Sequence, residues 1–544
     1  MKRLRTTITG LLVMLLMILN VVFLSSVTYA EQWAKKYGVS RIDAVQQTED
    51  GGYIAAAWNE GDDVKAFVMK LDLSGNVQWT KKTGDSNCPA FANSVHQTSD
   101  NGYMVAGSKC GAWVSKLDSN GNVQWQRTFR SEPWFESEGV ISMQKTSDGG
   151  CIVLAQFYPY SDASVLKLDS DGNVQWQKRY DTGYVEHSLS IYQTLDGGYI
   201  ILGHMSYPPD VNIGSSWVMK LDAEGNTLWS KVYKFSGSHS DSINGIHPTS
   251  DNGYIMAGYY MNVNFDMDVW VIKTNAEGDV QWERTYGGAG TDIGISLEQT
   301  SDSGYVIAAQ TASFSPGTGD AWVLKINAEG DVQWERTYGS FLNDSIDSIH
   351  QTSDGEYIMG GFNFSFGRLA PVGHAGWLLK VGSNGDLPDC SIMGSSQATV
   401  NTSTQSVTTT VNVTVATTNV VPEISTAPLE DATISEGDIC GAVPFIVDFR
   451  PKGWFEPGKF IRIYGVGFGN TQGDSVIHIG PSIFNSSNRR IKLWSDTMIK
   501  MRLPNYQCGW FNGQDYRNRR GWVTVDGVDS NKRKIVINRP SICP

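Results

Sequence analysis

The sequence predicts an all-β chain built round a seven-bladed β-propeller, and three observations carry that prediction. A block of about 50 residues returns seven times, marked by a turn aspartate at Asp50, Asp100, Asp148, Asp196, Asp251, Asp302 and Asp354, at intervals of 48 to 55 residues. Each complete block holds four short apolar or alternating runs separated by Gly, Asp and Asn turns, the content of one four-stranded blade. The last block ends Ser383-Asn-Gly-Asp-Leu-Pro-Asp-Cys390 where the others have a Trp strand, whereas Glu31-Gln-Trp-Ala-Lys-Lys-Tyr-Gly38 has that strand's pattern. Residues 31–38 are therefore expected to add the outermost strand to the last blade, closing the ring by pairing its two ends, with Trp33 as the seventh ring.

The sixth block shows how the elements are read. Asp292–Thr300 is a strand, Ser301-Asp-Ser-Gly304 a turn, Tyr305–Gln310 a strand, Ala321–Ile326 a third, Asn327-Ala-Glu-Gly330 a turn, and Asp331–Tyr338 a fourth. Four residues after the strand Tyr (or Cys151) stand Ala57, Gly107, Ala155, Gly203, Gly258, Ala309 and Gly361, and this lack of bulk predicts close packing between inner strands of neighbouring blades. The third and fourth strands form a tight hairpin; with Asn327 opposite Gly330, Lys325 faces Val332 and Val323 faces Trp334. On that register Lys70, Lys116, Lys167, Lys220, Lys273, Lys325 and Lys380 lie as cations over the structural indoles Trp79, Trp125, Trp176, Trp229, Trp282 and Trp334, with Trp33 serving the last. A lysine repeated in every blade is structural rather than catalytic.

The flanks differ in kind. Lys2, Arg3 and Arg5, an apolar run from Leu11 to Leu24 and small or polar residues ending at Ala30 read as a cleavable secretory signal over residues 1–30, too short in its apolar part for a spanning helix. No other stretch is apolar enough to cross a membrane. Residues 31–390 are the propeller. Residues 391–440 change composition, with 14 Ser or Thr among the 30 positions from Ser391 to Val420, and read as a polar linker or stalk whose alternation with Val also permits an extended strand along the propeller. Residues 441–544 hold 16 Lys and Arg against 7 Asp and Glu in a chain of net charge −13, so an anionic partner or the acidic propeller is expected to face them. The cluster Arg517, Arg519, Arg520, Lys532, Arg533 and Lys534 suits an anionic cell-envelope polymer. Nucleic acid is not expected for an exported chain. Seven cysteines make disulfides permissible outside the cell, with Cys88 and Cys110, Cys390 and Cys440, and Cys508 and Cys543 paired by proximity and Cys151 buried and reduced.

At Lys116-Leu-Asp-Ser-Asn-Gly-Asn-Val-Gln-Trp125 and Lys220-Leu-Asp-Ala-Glu-Gly-Asn-Thr-Leu-Trp229 the chain resembles the tryptophan-docked repeats of quinoprotein-like propellers. The 50-residue unit looks like secreted bacterial and archaeal repeats of the pattern DGGY, AWVLKLD, GNVQW. The resemblance implies the fold and not an activity: quinoprotein dehydrogenases generally carry a vicinal Cys pair and eight blades, and this chain has neither. Gly465-Val-Gly467-Phe-Gly469 and Trp494-Ser-Asp-Thr497 lie in short alternating strands over 443–540 that resemble the IPT/TIG family of immunoglobulin-like sandwiches. No spacing of Cys, His or carboxylates specifies a metal, and no cofactor is expected.

Function is expected on the rim where loop lengths vary, formed by the second-to-third strand loops and the loops between blades. Its aromatic residues Trp134, Tyr158, Tyr160, Tyr207, Tyr260, Phe265 and Phe364 are the candidate ligand-binding set, suited to a glycan or protein because rings give contact area at low entropy cost. The primary reading is a secreted or cell-envelope binding or adhesion-type protein with no assigned catalytic residue. One alternative is a polysaccharide-active hydrolase or lyase using rim carboxylates among Glu132, Glu136, Glu138, Asp210, Asp266 and Asp268. Another is a purely structural surface protein.

Overall fold

The computed structural model describes residues 32–439 apart from 62, 85–86, 131–138, 158–161, 184, 207–213, 341, 366–373, 389, 391, 403–405, 411–413, 418–420 and 425–428, and beyond that the backbone of strands between 445 and 535. The expected signal segment lies outside the described residues. Every described element is a strand.

Seven antiparallel sheets form the ring. Blades 1 to 6 begin with the inner strands Arg41–Gln47, Ala90–Gln97, Gly139–Lys145, Val185–Gln193, Ser240–Pro248 and Asp292–Gln299 and step outward in chain order. Blade 7 takes Asp344–Gln351, Tyr357–Asn363 and Ala375–Val381 from its own repeat, and its fourth strand is Trp33–Tyr37, with Trp33 opposite Lys380. The ring thus closes by pairing its ends.

At the lysines the register differs from the expected one by two residues of the partner strand, which keeps lysine and indole on one face. Asn327 N bonds Asp331 O across the hairpin, Gly330 takes φ +88°, and a bulge follows, so Lys325 faces Trp334 and Ile326 faces Val332. Each lysine stem therefore lies on the same face as its indole, but the ammonium ends on a carboxylate. Each Nζ reaches its own blade's turn aspartate, as Lys70–Asp50, Lys116–Asp100, Lys167–Asp148, Lys220–Asp196, Lys273–Asp251, Lys325–Asp302 and Lys380–Asp354, at 2.5–3.0 Å. The cation over the indole comes instead from two residues past the Trp: Arg127, Lys178, Lys231 and Arg284 sit 5.6–5.8 Å from the rings of Trp125, Trp176, Trp229 and Trp282.

Each Trp docks onto the following blade. Trp33, Trp79, Trp125, Trp176, Trp229, Trp282 and Trp334 lie against Gly75, Gly121, Gly172, Gly225, Gly278, Gly330 and Gly385 in the next hairpin turn. Any Cβ at Gly385 would stand 2.6 Å from the Trp334 ring at φ +75°, so only glycine fits. Trp334 Nε1 donates to Ser383 O at 3.0 Å, and its ring meets Tyr357 edge-on at 5.6 Å. Four residues past the Trp, Tyr37, Tyr180, Tyr233, Tyr286 and Tyr338 donate their hydroxyls to the same turn glycines' carbonyls at 2.5–2.8 Å. A buried phenol needs such an acceptor.

The small residues of the second strand answer the predicted demand at Gly258, whose backbone packs against Gly294 of the next blade's inner strand, and a second demand as well. Each inner strand carries a bulge, and a Cβ on Gly107, Gly258 or Gly361 would overlap the carbonyl of Phe91, Ser242 or Ser345 in its own blade. This second close approach is within a blade, where the bulge brings backbone against the neighbouring strand.

The Ser/Thr/Val-rich segment is not a free tether in the described structure. It adds a fifth strand to every blade: Met393–Ser395 on blade 6, Thr399–Thr402 on 5, Ser406–Thr410 on 4, Thr414–Thr417 on 3, Val421–Ile424 on 2, Glu430–Asp431 on 1 and Glu436–Asp438 on 7. This belt runs once round the ring, against chain order, covering the outer edges. Unpaired outer edges recruit other strands, and the belt strands satisfy the backbone groups along them.

Beyond the belt, two further antiparallel sheets pair 445–450, 460–466, 498–502 and 491–494, and 482–484, 476–479, 519–525, 528–529 and 533–535.

Cys88 and Cys110 are bonded, Cys151 is buried and free, and burial pushes its thiol up to about 12. Cys390 is also disulfide-bonded; its expected partner Cys440, and Cys508 and Cys543, lie outside the described residues.

Candidate functional site on the variable rim

Fourth-strand ends and second-strand ends reach the same rim, because each strand reverses at a short turn on the opposite one. Of the aromatic candidates, Trp134, Tyr158, Tyr160 and Tyr207 lie outside the described residues. Tyr260, Phe265 and Phe364 are in place, and they differ in what holds them.

Tyr260 is half-buried, stacked on Phe235 of blade 4 with centroids 4.2 Å apart, and its hydroxyl donates to Asp268 Oδ2 at 3.2 Å. Phe364 is tilted against His374 at 4.7 Å and is 38% exposed. Phe265 is 69% exposed. It sits at φ +67° on the turn between the second and third strands of blade 5, where Asn262 N bonds Asp266 O at 2.9 Å and Asn262 Oδ1 accepts from Asn264 N and Asp266 N. A bulky side chain in the left-handed region costs about 1 kcal/mol or more, so the turn displays this ring at a cost. His239, from the loop between blades 4 and 5, stacks on it at 5.2 Å and 9°.

Carboxylates border the rings. Asp268 opens the third strand of blade 5 and Asp292 the first strand of blade 6; both converge on Gly287, where a Cβ would overlap Asp268 Oδ1 and stand 2.9 Å from Asp292 Oδ2. Burial, then the Asp292 and Asp266 charges, push Asp268 up to about 6. Asp292 is buried and raised by burial, although Ser313 Oγ and Gly288 N donate to it at 2.6 and 2.9 Å.

The same arrangement recurs one blade on. Asp320 and Asp344 converge on Gly339 as Asp268 and Asp292 do on Gly287. Burial with Asp344 alongside pushes Asp320 up to about 9, and burial pushes Asp344 up to about 7 against donors from Ser365 and Ser340. Only Asp268 of the four is open enough to meet a ligand; the others are buried. Of the carboxylates singled out in the sequence, Glu132, Glu136, Glu138 and Asp210 lie outside the described residues. Asp292, Asp320 and Asp344 were not singled out. Aligning the repeats would have found them: Asp268 and Asp320 stand two residues before Trp270 and Trp322, and Asp292 and Asp344 head successive inner strands.

The central channel gathers histidines that share no sequence spacing. The residue before the end of each inner strand is Gln46, His96, Gln144, Tyr192, His247, Glu298 or His350, one per blade. His350 Nδ1 lies 3.0 Å from Glu298 Oε2; burial pulls His96 down to about 4 and lowers His247. The channel cavity beside them is about 210 Å³. No group of three metal-ligating side chains occurs among the described residues.

For the basic cluster, the register sets Arg520 opposite Lys534 and Gly521 opposite Arg533. Arg519 lies in the same strand; Arg517 and Lys532 lie outside the described residues.

Fold and docked tryptophans together define a seven-bladed propeller repeat protein. Residues 60–233 match the family model PQQ_2, described as outer membrane protein assembly factor BamB. A search of curated proteins finds no match. Similar solved structures include a protein of unknown function from Bacteroides caccae (13% identity, 56% of this chain and 93% of that one, TM-score 0.32). The Dos1 propeller is 12% identical over 62% of this chain and 78% of that one, TM-score 0.35. Polysaccharide lyase Uly1 is 10% identical over 63% of this chain and 90% of that one, TM-score 0.39. Among the described residues no helix is long and apolar enough to cross a membrane.

Proposed function

We propose that this is a secreted or cell-envelope binding protein that offers the variable rim of its propeller to a glycan or protein ligand. The observation that supports it most is Phe265, an exposed ring displayed at a disfavoured φ on a fully hydrogen-bonded turn and stacked on His239. Nothing in the fold needs a phenyl group there. Backbone strain held at an exposed aromatic fits a ligand contact, with Tyr260 and Asp268 beside it as polar partners. The match to a family described as an envelope assembly factor agrees with an envelope setting.

The C-terminal sheets are read as an IPT/TIG-like immunoglobulin module. The excess of Lys and Arg over residues 441–544, with Arg520 and Lys534 at paired register positions, supports an anionic envelope polymer as that module's partner.

Asp268 favours a second reading, a polysaccharide-active enzyme. A half-exposed carboxyl near 6, hydrogen-bonded to the Tyr260 hydroxyl, is suited to proton transfer. A glycan array and an envelope pull-down with the full chain test the two readings together. Binding lost in Phe265→Gly, with no product released from any bound glycan, supports the binding role; release that Asp268→Asn stops supports the enzyme. Absence of both leaves a structural surface protein.

A further inference from the structure

The belt begins and ends at one place. Gly339 N donates to Ile392 O at 2.9 Å and Ile439 N donates to Ala34 O at 2.8 Å, and Leu387, Cys390, Ile392, Met393 and Ile439 share one apolar cluster between blades 6 and 7. The chain therefore returns to its starting point after a full circuit. Cys390 is disulfide-bonded, Cys88 is bonded to Cys110, and Cys151 is buried and free, so the partner of Cys390 is Cys440, Cys508 or Cys543. Cys440 directly follows Ile439, which the cluster already holds beside Cys390.

We propose that Cys390 and Cys440 form a disulfide that closes the belt into a covalent ring round the propeller and makes its release redox-dependent. Formation joins the two sulfurs and removes two protons and two electrons, taken up by a disulfide oxidant that leaves as two thiols. In the oxidised protein, tension from residues 441–544 passes through the bond straight into blade 7 and bypasses the belt. After reduction that tension falls on Glu436–Asp438 and then Glu430–Asp431, a three-residue and a two-residue strand. These exposed ends are the weakest part of the belt, and opening starts there. Drawn off completely, the segment from 390 to 440 spans about 170 Å, turning a fastened module into a tethered one.

Peptide mapping of the unreduced full chain tests the linkage. A peptide joining Cys390 to Cys440 is expected; Cys390 joined to Cys508 or Cys543, or recovered as a thiol, overturns the proposal. Amide exchange tests the fastening. In Cys390→Ser/Cys440→Ser, or after mild reduction, protection over 421–438 falls by about 30- to 1000-fold, the range expected for opening a disulfide-closed loop, while Tyr305–Thr311 and the other second strands keep theirs. Belt protection that is indifferent to the bond overturns the fastening role even where the linkage is found.

Discussion

Exchanging one member of a repeated ion pair separates a buried charge from a solvated one. The Lys325 side chain is 4% exposed, whereas that of Asp302 is 50% exposed. Lys325 Nζ lies 2.8 Å from Asp302 Oδ2, 3.0 Å from Oδ1, 3.2 Å from Ile326 O and 2.8 Å from Gln333 Oε1. Asp302→Asn keeps an oxygen for Thr300 Oγ1 and Gly304 N and removes only the counter-charge, so it strands a buried ammonium and costs about 3 kcal/mol. Lys325→Met fills the same slot with an apolar chain and leaves a carboxylate that water reaches, so it costs about 1 kcal/mol or less. The double variant Asp302→Asn/Lys325→Met is then more stable than Asp302→Asn alone. Urea midpoints of the three variants and the parent, read by tryptophan fluorescence, give the order. Equal losses in the two single variants, or a larger loss for Lys325→Met, refute the argument from burial.

Trp33→Ala removes the ring that bridges blade 7 to Gly75 and Tyr53 and should cost about 3–5 kcal/mol by chemical denaturation, opening the ring at its closure. Phe265→Gly relieves the positive φ, so the melting temperature should hold or rise while ligand binding falls. Against partial burial, hydrogen bonds from the lysine, the threonine and a backbone N–H hold Asp100, Asp148 and Asp302 down at about 2, so their stabilisation is complete above the unfolded value of 3.8 and is lost as pH falls toward 2. An acid titration followed by tryptophan fluorescence should be shallower in Asp302→Asn. Asp320 has the opposite sign: raised to about 9, it stabilises below 3.8 and loses that contribution as pH rises through 9. Asp320→Asn should therefore raise the melting temperature at pH ~9 more than at pH ~4.

The number of blades, the closure by Trp33 and the burial of Cys151 were legible in the chain because each is written in a period or in a departure from it, and the pairing of Cys88 with Cys110 because the two flank one hairpin. A repeat declares what every copy needs: a turn aspartate, a lysine, a Trp and a turn glycine. How those residues meet was decided in three dimensions. The bulge after Gly330 set Lys325 opposite Trp334 rather than Val332, and the ammonium ended on the turn aspartate; a left-handed glycine in a hairpin does not announce its register. Asp268 and Asp292, 24 positions apart, converge only because the end of one blade abuts the start of the next. The belt was least legible. Strand pairing is made by backbone groups that every residue carries, so Thr- and Val-rich sequence reads alike whether it hangs free or lies on seven waiting edges; only the closed ring supplies those edges.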